Sequence, residues 1–191
     1  IVGTNMGIGS QGLLMDGTEE QRRHFLPKLA SGEIIGSFAL TEPNAGSDAA
    51  SLQTKAVKDG DDFLLTGTKQ WITNAKSAQL FTVFARTDPD ESRSKGVSAF
   101  LVEADRSGIS LSSNYKKMGQ QGAHVCDINF DQCRVPRSNI IGGPDRINNG
   151  FQTAMKTLDR GRIHIAALSV GCAKRLIDMS ISYALERKQF G

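Results

Sequence analysis

The spacing of apolar and polar residues changes twice along this chain. The segment Thr18–Gln21 reads TEEQ and predicts a helix start, because Thr18 can cap the first turn while the Gln21 side chain reaches back to the cap. Two acidic residues lie at the positive end of the helix dipole, and Gly32 is a plausible stop. The apolar face of this predicted helix is formed by Phe25, Leu26 and Leu29.

From Ile34 onward the helical spacing disappears, and turn signals separate short runs of β-branched and aromatic residues. Asp59-Gly60 predicts a hairpin, because a tight turn needs positive φ angles. The strands follow one another without intervening helices, which excludes the βαβ unit of a dinucleotide-binding fold. The predicted strands are Ile34–Leu40, Thr54–Val57, Phe63–Thr68, Leu80–Ala85, Val97–Val102 and Val125–Phe130.

Helical spacing returns at Phe151, where apolar residues begin to recur at intervals of three and four. This pattern predicts one long helix, or two in tandem, with an extended buried face. The organisation is therefore helical over 1–35, all-β over 36–146 and helical again over 147–191. The apolar positions of the last region are Met155, Leu158, Ile163, Ala166, Ala167, Val170, Ala173, Ile177, Ile181 and Leu185.

Composition narrows the class of protein. The chain has 191 residues, 39% hydrophobic and 23% charged, which is ordinary usage for one or two modest globular domains. A net charge of +3 without a basic tract argues against a nucleic-acid binder. No segment approaches the roughly 20 apolar residues of a membrane helix, so we expect no membrane insertion. The start at Ile1 and the stop at Gly191, directly after a helix-like segment, indicate a piece of a longer polypeptide.

The cysteines and histidines do not form a metal-binding pattern. The three cysteines lack CxxC spacing and are odd in number, so neither a zinc site nor a disulfide framework is predicted. Reduced thiols in a cytosol or an organelle matrix are expected. The three histidines lie far apart in the sequence, and we predict no metal site. These residues are Cys126, Cys133, Cys172, His24, His124 and His164.

Two segments of the all-β region carry residues that either build turns or bind a ligand. In GSFALTEPNAGSD, an apolar run stops at Thr41, and small residues that include Ser47 follow. Such residues form turns, but they also expose amides and hydroxyls. In KQWITNA, Trp71 is either a core residue or a wall beside a planar ligand, with Thr73 offering a hydroxyl. Together they favour a flavin, which needs hydrogen bonds around its ring edge and a flat partner.

The final helical region offers two further polar candidates. Asp159 and Arg162 are three residues apart on one helix face, so they form a surface ion pair or stand at the mouth of a ligand channel. Arg187 either marks a basic helix end or provides a planar fork for a pyrophosphate. The residues alone leave both alternatives open.

Six segments occur in one order along the chain: TEPNAGSD, KQWITNA, GVSAFLVE, YKKMG, LDRGR and ALERKQFG. In this order and spacing the chain resembles the acyl-CoA dehydrogenase family from Met6 to Gly191. The resemblance implies an α+β, multi-domain protein with a helical N-terminal domain, a middle antiparallel β-barrel domain and a C-terminal four-helix domain. This chain is expected to hold the end of the first, all of the second and the opening helices of the third.

The resemblance also implies an FAD cofactor between the β domain and the C-terminal helices. Ser47 matches a position that contacts both FAD and the CoA thioester substrate, and Thr73 matches one near the reducible nitrogen of the flavin. Asp159 and Arg162 match further substrate-contacting positions. The chain end is expected to reach the FAD of a neighbouring subunit, which implies a homo-oligomer, either a tetramer or a dimer. The expected cofactor-binding residues are Phe38, Ala39, Leu40, Thr41, Ser47, Trp71, Ile72, Thr73, Arg187, Gln189 and Phe190.

The implied reaction is α,β-dehydrogenation of an acyl-CoA thioester to the enoyl-CoA, as in fatty-acid β-oxidation. A carboxylate base removes the α-proton while a hydride passes from the β-carbon to the flavin. Hydrogen bonds to the thioester carbonyl in a dry pocket make the α-proton acidic enough. The expected electron acceptor is an electron-transferring flavoprotein. The expected location is the cytoplasm in a bacterium or the mitochondrial matrix in a eukaryote.

Two positions depart from the family pattern. One branch carries its catalytic glutamate inside the motif that here reads LDRGR, where this chain has Gly161, and most members carry it in a later helix, beyond Gly191. We therefore name no catalytic base here, and the base is expected beyond this chain. Gln121–Ala123 stands where the family often shows Arg-x-Ser.

The length of the acyl chain that the protein accepts stays open. Two alternatives also stay open, namely an acyl-CoA oxidase that uses oxygen and a non-catalytic flavin- or CoA-binding scaffold.

Overall fold

The computed structural model describes residues 2–91 and 93–191 of the chain. Helices at both ends of this part enclose a run of consecutive strands, as the sequence predicts. The helices are α1 (Val2–Met6), α2 (Ile8–Asp16), α3 (Glu19–Ser31) and α4 (Gly150–Glu186). The strands are β1 (Gly36–Ala39), β2 (Lys55–Asp59), β3 (Asp62–Thr73), β4 (Leu80–Arg86), β5 (Val97–Glu103), β6 (Ile109–Leu111) and β7 (Val125–Pro136).

The predicted helix α3 has the ends that its sequence indicates. The Gln21 amide donates to Thr18 Oγ1 at 3.1 Å, and the Thr18 amide donates to Gln21 Oε1 at 3.0 Å, which completes the capping box. Gly32 ends the helix with a left-handed φ of 78°. The Gln21 side chain also donates to the carbonyl oxygen of Ile140 at 2.7 Å, so the cap joins α3 to the segment after β7.

Within the described residues, seven strands form one sheet that curls into a half-barrel, and the α+β prediction is confirmed. The strand order is β1-β4-β2-β3-β7-β6, with β5 also paired to β4. Most pairs are antiparallel, but β1 and β2 run parallel to β4. A parallel pair needs a long crossover, and the β2–β3 hairpin lies in the connection between β1 and β4.

Strands β3 and β7 are longer than predicted and are bent where their pairing shifts register, between Leu65 and Gly67 and again between Lys69 and Ile72. Gly67 has a φ of 150°, and a Cβ there would lie 2.7 Å from Thr54 Oγ1. Only glycine fits this close approach. The second shift falls at Gln70 and Trp71, close to the end of β3.

Two clusters of buried apolar side chains form the core. One fills the inside of the curled sheet and includes Phe81 and Phe100, both fully buried. The other lies between the sheet and the helices and includes Leu13 of α2 and Leu29 of α3. The predicted helical face at Phe25, Leu26 and Leu29 packs against this second cluster.

Helix α4 is a single helix of 37 residues. Its start packs closely on β5, because a Cβ at Gly150 would lie 2.2 Å from the Ala99 nitrogen. The predicted extended buried face is wrong for the described chain beyond Gly161: Ile163 is 69% exposed and Leu185 is 81% exposed. In the described part of the chain, other residues cover only the first turns of α4. None of the described helices combines the length and apolar character that a membrane span requires.

Candidate functional site

A cavity of about 470 Å³ lies where the ends of β1 and β3 face α2 and the start of α4. This volume falls in the range of small-molecule sites. Eight of the thirteen residues predicted to bind the cofactor or substrate line it. They are Phe38, Leu40, Thr41, Ser47, Trp71, Ile72, Thr73 and Arg162.

The loop after β1 is fixed by a tight backbone turn. The Glu42 and Ala45 amides each donate to the other's carbonyl oxygen, at 2.9 and 3.1 Å. The Gln70 amide donates to the Thr41 carbonyl oxygen at 2.8 Å, which ties this loop to β3. Thr41 therefore stands half-buried at the cavity between two anchored segments, and Ser47 lies exposed farther along the loop.

A buried ion pair lies behind this loop. The Lys69 Nζ atom has no exposed surface and donates to Glu42 Oε1 at 2.7 Å and to the Leu40 carbonyl oxygen at 3.2 Å. The Glu42 carboxylate also accepts from the amides of Gln53 and Thr54, at 2.6 and 2.9 Å. Burial, partly offset by Glu42, lowers the pKa of Lys69 to about 8. Burial raises the pKa of Glu42, but Lys69 and the amides outweigh it and the net shift is downward.

The end of β3 presents Trp71 and Thr73 to the cavity through an irregular backbone. Trp71 and Asn74 have φ angles of 60° and 67°, in the left-handed region that non-glycine residues rarely adopt. Ile72 between them is buried, whereas Trp71 is 53% exposed and is a cavity wall rather than a core residue. The Ser37 hydroxyl donates to the Thr73 carbonyl oxygen at 2.6 Å, which joins β1 to the end of β3.

The opposite wall comes from residues that the sequence did not single out as site residues. Phe151, Met155 and Leu158 of α4 line the cavity, with Thr4 and Ile8 from α1 and α2. The helical spacing did mark Met155 and Leu158 as inward-facing. It could not show that their partner is a cavity, because periodicity reports a buried face and not what covers it.

A second cavity, of about 1010 Å³, adjoins the first. The two share Thr4, Ile8, Thr73, Leu158 and Arg162. The second is bordered mainly by small and apolar side chains of α1, α2 and α4. The arrangement therefore combines a recess of mixed lining, with Thr41, Ser47 and Thr73 among apolar side chains, and a larger, more apolar space beside it.

Five of the expected residues do not line the first cavity. Ala39 is fully buried in the core inside the sheet. Asp159 is exposed and accepts a hydrogen bond from Arg162, so the surface ion pair forms while Arg162 also borders the cavity. Arg187, Gln189 and Phe190 lie past the far end of α4. At 1.5 Å per residue, Arg187 stands about 37 Å along the axis from Arg162.

Ionisable clusters that could hold a metal do not occur among residues 2–91 and 93–191. Cys126 and Cys133 are buried free thiols, and burial raises the pKa of each. Both cysteines lie on β7 inside the sheet, away from the cavity lining.

Comparison with known proteins identifies the family of this chain. A family model described as acyl-CoA dehydrogenase, middle domain, matches residues 37–133, which is more than half of the chain. A second, described as acyl-CoA dehydrogenase, C-terminal domain, matches residues 148–191. The chain belongs to the acyl-CoA dehydrogenase family. The resemblance drawn from the six sequence segments is thereby confirmed.

Individual known proteins match nearly the whole chain. The probable acyl-CoA dehydrogenase YngJ of Bacillus subtilis (strain 168) is 46% identical over 186 residues, covering 97% of this chain and 48% of the relative. The solved prolyl acyl carrier protein oxidase AnaB is 39% identical with a TM-score of 0.93, covering 99% of this chain and 49% of that one. An acyl-CoA dehydrogenase of Bacillus anthracis, solved in complex with FAD, is 39% identical with a TM-score of 0.90, covering 98% and 31%. The chain spans about half the length of the curated relatives it matches.

Proposed function

We propose that the protein carrying this chain is an FAD-dependent acyl-CoA dehydrogenase that converts an acyl-CoA thioester to its enoyl-CoA. The observation that carries the proposal is the single cavity into which the fold gathers Trp71, Thr41, Ser47 and Thr73 from two separate motifs. Family membership supports the reaction class. The spacing of the two motifs in sequence does not require them to meet, so their convergence is independent support.

The cavity residues have the chemistry that a flavin ring needs. Trp71 supplies a flat aromatic wall, and Thr41 and Thr73, whose side chains carry hydroxyl groups, line the same recess. The flavin, when bound, supplies a two-electron acceptor for the hydride. Thr41 and Thr73 would orient the ring by hydrogen bonds to its edge. The buried Lys69–Glu42 pair would hold the Thr41 loop in place behind it.

The acyl-CoA substrate is assigned to the adjoining apolar cavity. Its lining at Ile8 and Leu158 suits an acyl chain, and it opens onto the flavin recess through the shared Thr73. Arg162 borders both cavities and bonds Asp159 at the surface, where the polar end of a thioester would enter. Exclusion of water from the apolar space would strengthen hydrogen bonds to the thioester carbonyl.

The catalytic base is assigned outside residues 2–91 and 93–191. Gly161 provides no carboxylate at the position used by one branch of the family. Asp48 lines the flavin recess, but it is exposed and accepts a hydrogen bond from Ser51. An exposed carboxylate of this kind stands in water, outside the dry pocket in which the α-proton would be removed. We further propose an electron-transferring flavoprotein as acceptor, a homo-oligomeric assembly, and a cytoplasmic or mitochondrial-matrix location.

The first test is the visible absorption spectrum of the purified protein, before and after anaerobic addition of butyryl-CoA and then of longer and branched acyl-CoAs. We expect a flavin band that one of these thioesters bleaches. Recovery of the band on adding an electron-transferring flavoprotein, with slow recovery in oxygen, supports the dehydrogenase. Fast recovery in oxygen supports the oxidase alternative, which the similarity to AnaB favours. A flavin band that no thioester bleaches contradicts the proposal and supports a non-catalytic scaffold.

The second test addresses the site itself. Thr73→Val removes a hydroxyl from the cavity, and Thr68→Val removes one on the same strand that donates to Asn129 at 2.8 Å outside the cavity. Loss of one hydrogen bond predicts a weakening of FAD binding by about 3- to 10-fold for Thr73→Val. Thr68→Val is the matched control and should leave the FAD dissociation constant unchanged. Equal effects of the two variants would place the flavin elsewhere.

A further inference from the structure

The indole of Trp71 has an aromatic partner outside the candidate cavity. Its ring stacks on Tyr115 with the ring centroids 3.8 Å apart and 29° between the ring planes. Trp71 lines the cavity, and Tyr115 does not. Because a ring has two faces, Tyr115 covers one face of the indole and leaves the other face free of this stack, while the residue lines the cavity.

Tyr115 is itself held in place at its hydroxyl and at its backbone. The hydroxyl donates to the Asp127 carboxylate, at 2.8 and 2.9 Å from its two oxygens, and accepts from Gln70 Nε2 at 3.0 Å. The Tyr115 amide donates to the Val125 carbonyl oxygen at 2.9 Å. Desolvation and the hydrogen bond to Asp127 raise the pKa of Tyr115, which favours the protonated phenol that donates this hydrogen bond. The ring under Trp71 is therefore a fixed surface.

The backbone of Trp71 needs such support. Its φ of 60° lies in the left-handed region, which a bulky residue avoids. It also stands inside the register shift between Lys69 and Ile72, where regular pairing of β3 with β7 is interrupted. The Trp71 amide donates weakly to Asp127 Oδ1, at 3.4 Å. Sheet pairing therefore does not fix the orientation of the Trp71 indole, and side-chain contacts must do so.

We propose that Tyr115 is a positioning residue that fixes the Trp71 indole as a wall of the flavin cavity. It acts by stacking on one face of the indole while Asp127 and Gln70 anchor its hydroxyl. The inference rests on the proposed function, because it takes this cavity to be the flavin site. Without the Tyr115 ring, nothing stacks on the indole of Trp71. The indole then no longer keeps one orientation, and the flavin loses its flat partner.

The test compares Tyr115→Ala, Tyr115→Phe and the control Asn114→Ala, which changes the exposed neighbour of Tyr115. The first measurement is acrylamide quenching of Trp71 emission in the apoprotein, with a Trp71→Phe protein supplying the background from any other tryptophan. We expect Tyr115→Ala to raise the quenching constant by up to about twofold, because the indole is already 53% exposed. Tyr115→Phe keeps the stack and should lie close to the wild type.

The second measurement is the FAD dissociation constant. Loss of an aromatic pair predicts an increase of about 3- to 10-fold for Tyr115→Ala, with Tyr115→Phe recovering most of the affinity and Asn114→Ala unchanged. Recovery by phenylalanine, with unchanged melting temperature, separates positioning from general loss of structure. Unchanged quenching and affinity in Tyr115→Ala overturn the inference, and so does a change in quenching without a change in affinity. If the wild type binds no FAD, the proposed function fails, while the quenching comparison still decides whether Tyr115 holds Trp71.

Discussion

Replacing Lys69 by methionine tests how much the buried ion pair behind the Thr41 loop contributes to the stability of the protein. The Lys69 ammonium is fully buried, and it lies 2.7 Å from a Glu42 oxygen that is itself almost inaccessible. Methionine fills a similar space, so the change removes the charge more than the volume. Breaking a buried pair from one side costs about 3–5 kcal/mol of unfolding free energy. The Gln53 and Thr54 amides remain on Glu42, which places the expected cost near the lower end, about 3 kcal/mol.

The assay is urea unfolding of the purified protein, with the melting temperature as a second readout. A loss of about 3 kcal/mol corresponds to a fall of roughly 6–12 °C for a chain of this size. Lys58→Met, on the exposed part of β2, is the matched control and should cost less than about 0.5 kcal/mol. The double variant Glu42→Gln/Lys69→Met leaves no charge buried, so it should be more stable than Lys69→Met alone. A Lys69→Met protein within about 1 kcal/mol of the wild type would refute the reasoning.

The same pair predicts a pH dependence whose sign can be worked out. Burial, partly offset by Glu42, lowers the pKa of Lys69 from its ordinary 10.5 to about 8. Between these two values the unfolded chain holds a proton that the folded chain has released. Stability therefore rises with pH in this window, and the stability advantage of the wild type over Lys69→Met should grow by up to about 1.4 kcal/mol per pH unit. An advantage that shrinks from pH 8 to pH 10 contradicts the lowered pKa.

Three further predictions concern the bend, the helix junction and the chain end. Gly67→Ala forces a Cβ to within 2.8 Å of the Thr54 Cα at a φ of 150°, so calorimetry should show a loss of about 3 kcal/mol, whereas Gly119→Ala, in open space, should cost little. Burial raises the pKa of Asp16, but hydrogen bonds and charges from its neighbours outweigh it and hold the pKa below 3.8. The stability that Asp16 adds over Asp16→Asn should thus be present at pH 7 and disappear as the pH falls below about 4, and a gap that persists at pH 2 argues against this assignment. Phe190→Ala should weaken FAD binding in an oligomer, because Phe190 is fully exposed far from its own cavity; a monomer that binds FAD with full affinity rules this out.

Local sequence signals predicted the parts of the fold that depend on neighbouring residues. The capping box at Thr18 and the left-handed Gly32 formed as expected, since each is fixed by contacts within one helical turn. The hairpin at Asp59-Gly60 also formed. Strand ends were less accurate: β3 and β7 continue to Thr73 and Pro136, and β6 was missed. Their limits are set by pairing with strands distant in sequence, which local propensity does not contain.

The sequence likewise predicted some features of the candidate site and missed others. The motifs marked Thr41, Ser47, Trp71 and Thr73 as ligand-binding candidates, and these residues do meet in one cavity. Neither motif indicated the Trp71–Tyr115 stack or the Lys69–Glu42 pair, because each joins residues that are 27 or more positions apart. The helical spacing after Phe151 predicted a buried face, and in the described chain much of that face is exposed.

The sequence by itself determined the order of helical and β regions, the ends of α3 and the family, because these follow from periodicity, capping and the ordered motifs. The tertiary structure alone decided the parallel pairing of β1 with β4, the left-handed backbone at Trp71 and the identity of the opposite cavity wall. The physical reason is that each of these depends on contacts between segments brought together only by the curl of the sheet. Such contacts override local preference wherever burial and pairing gain more than the backbone strain costs.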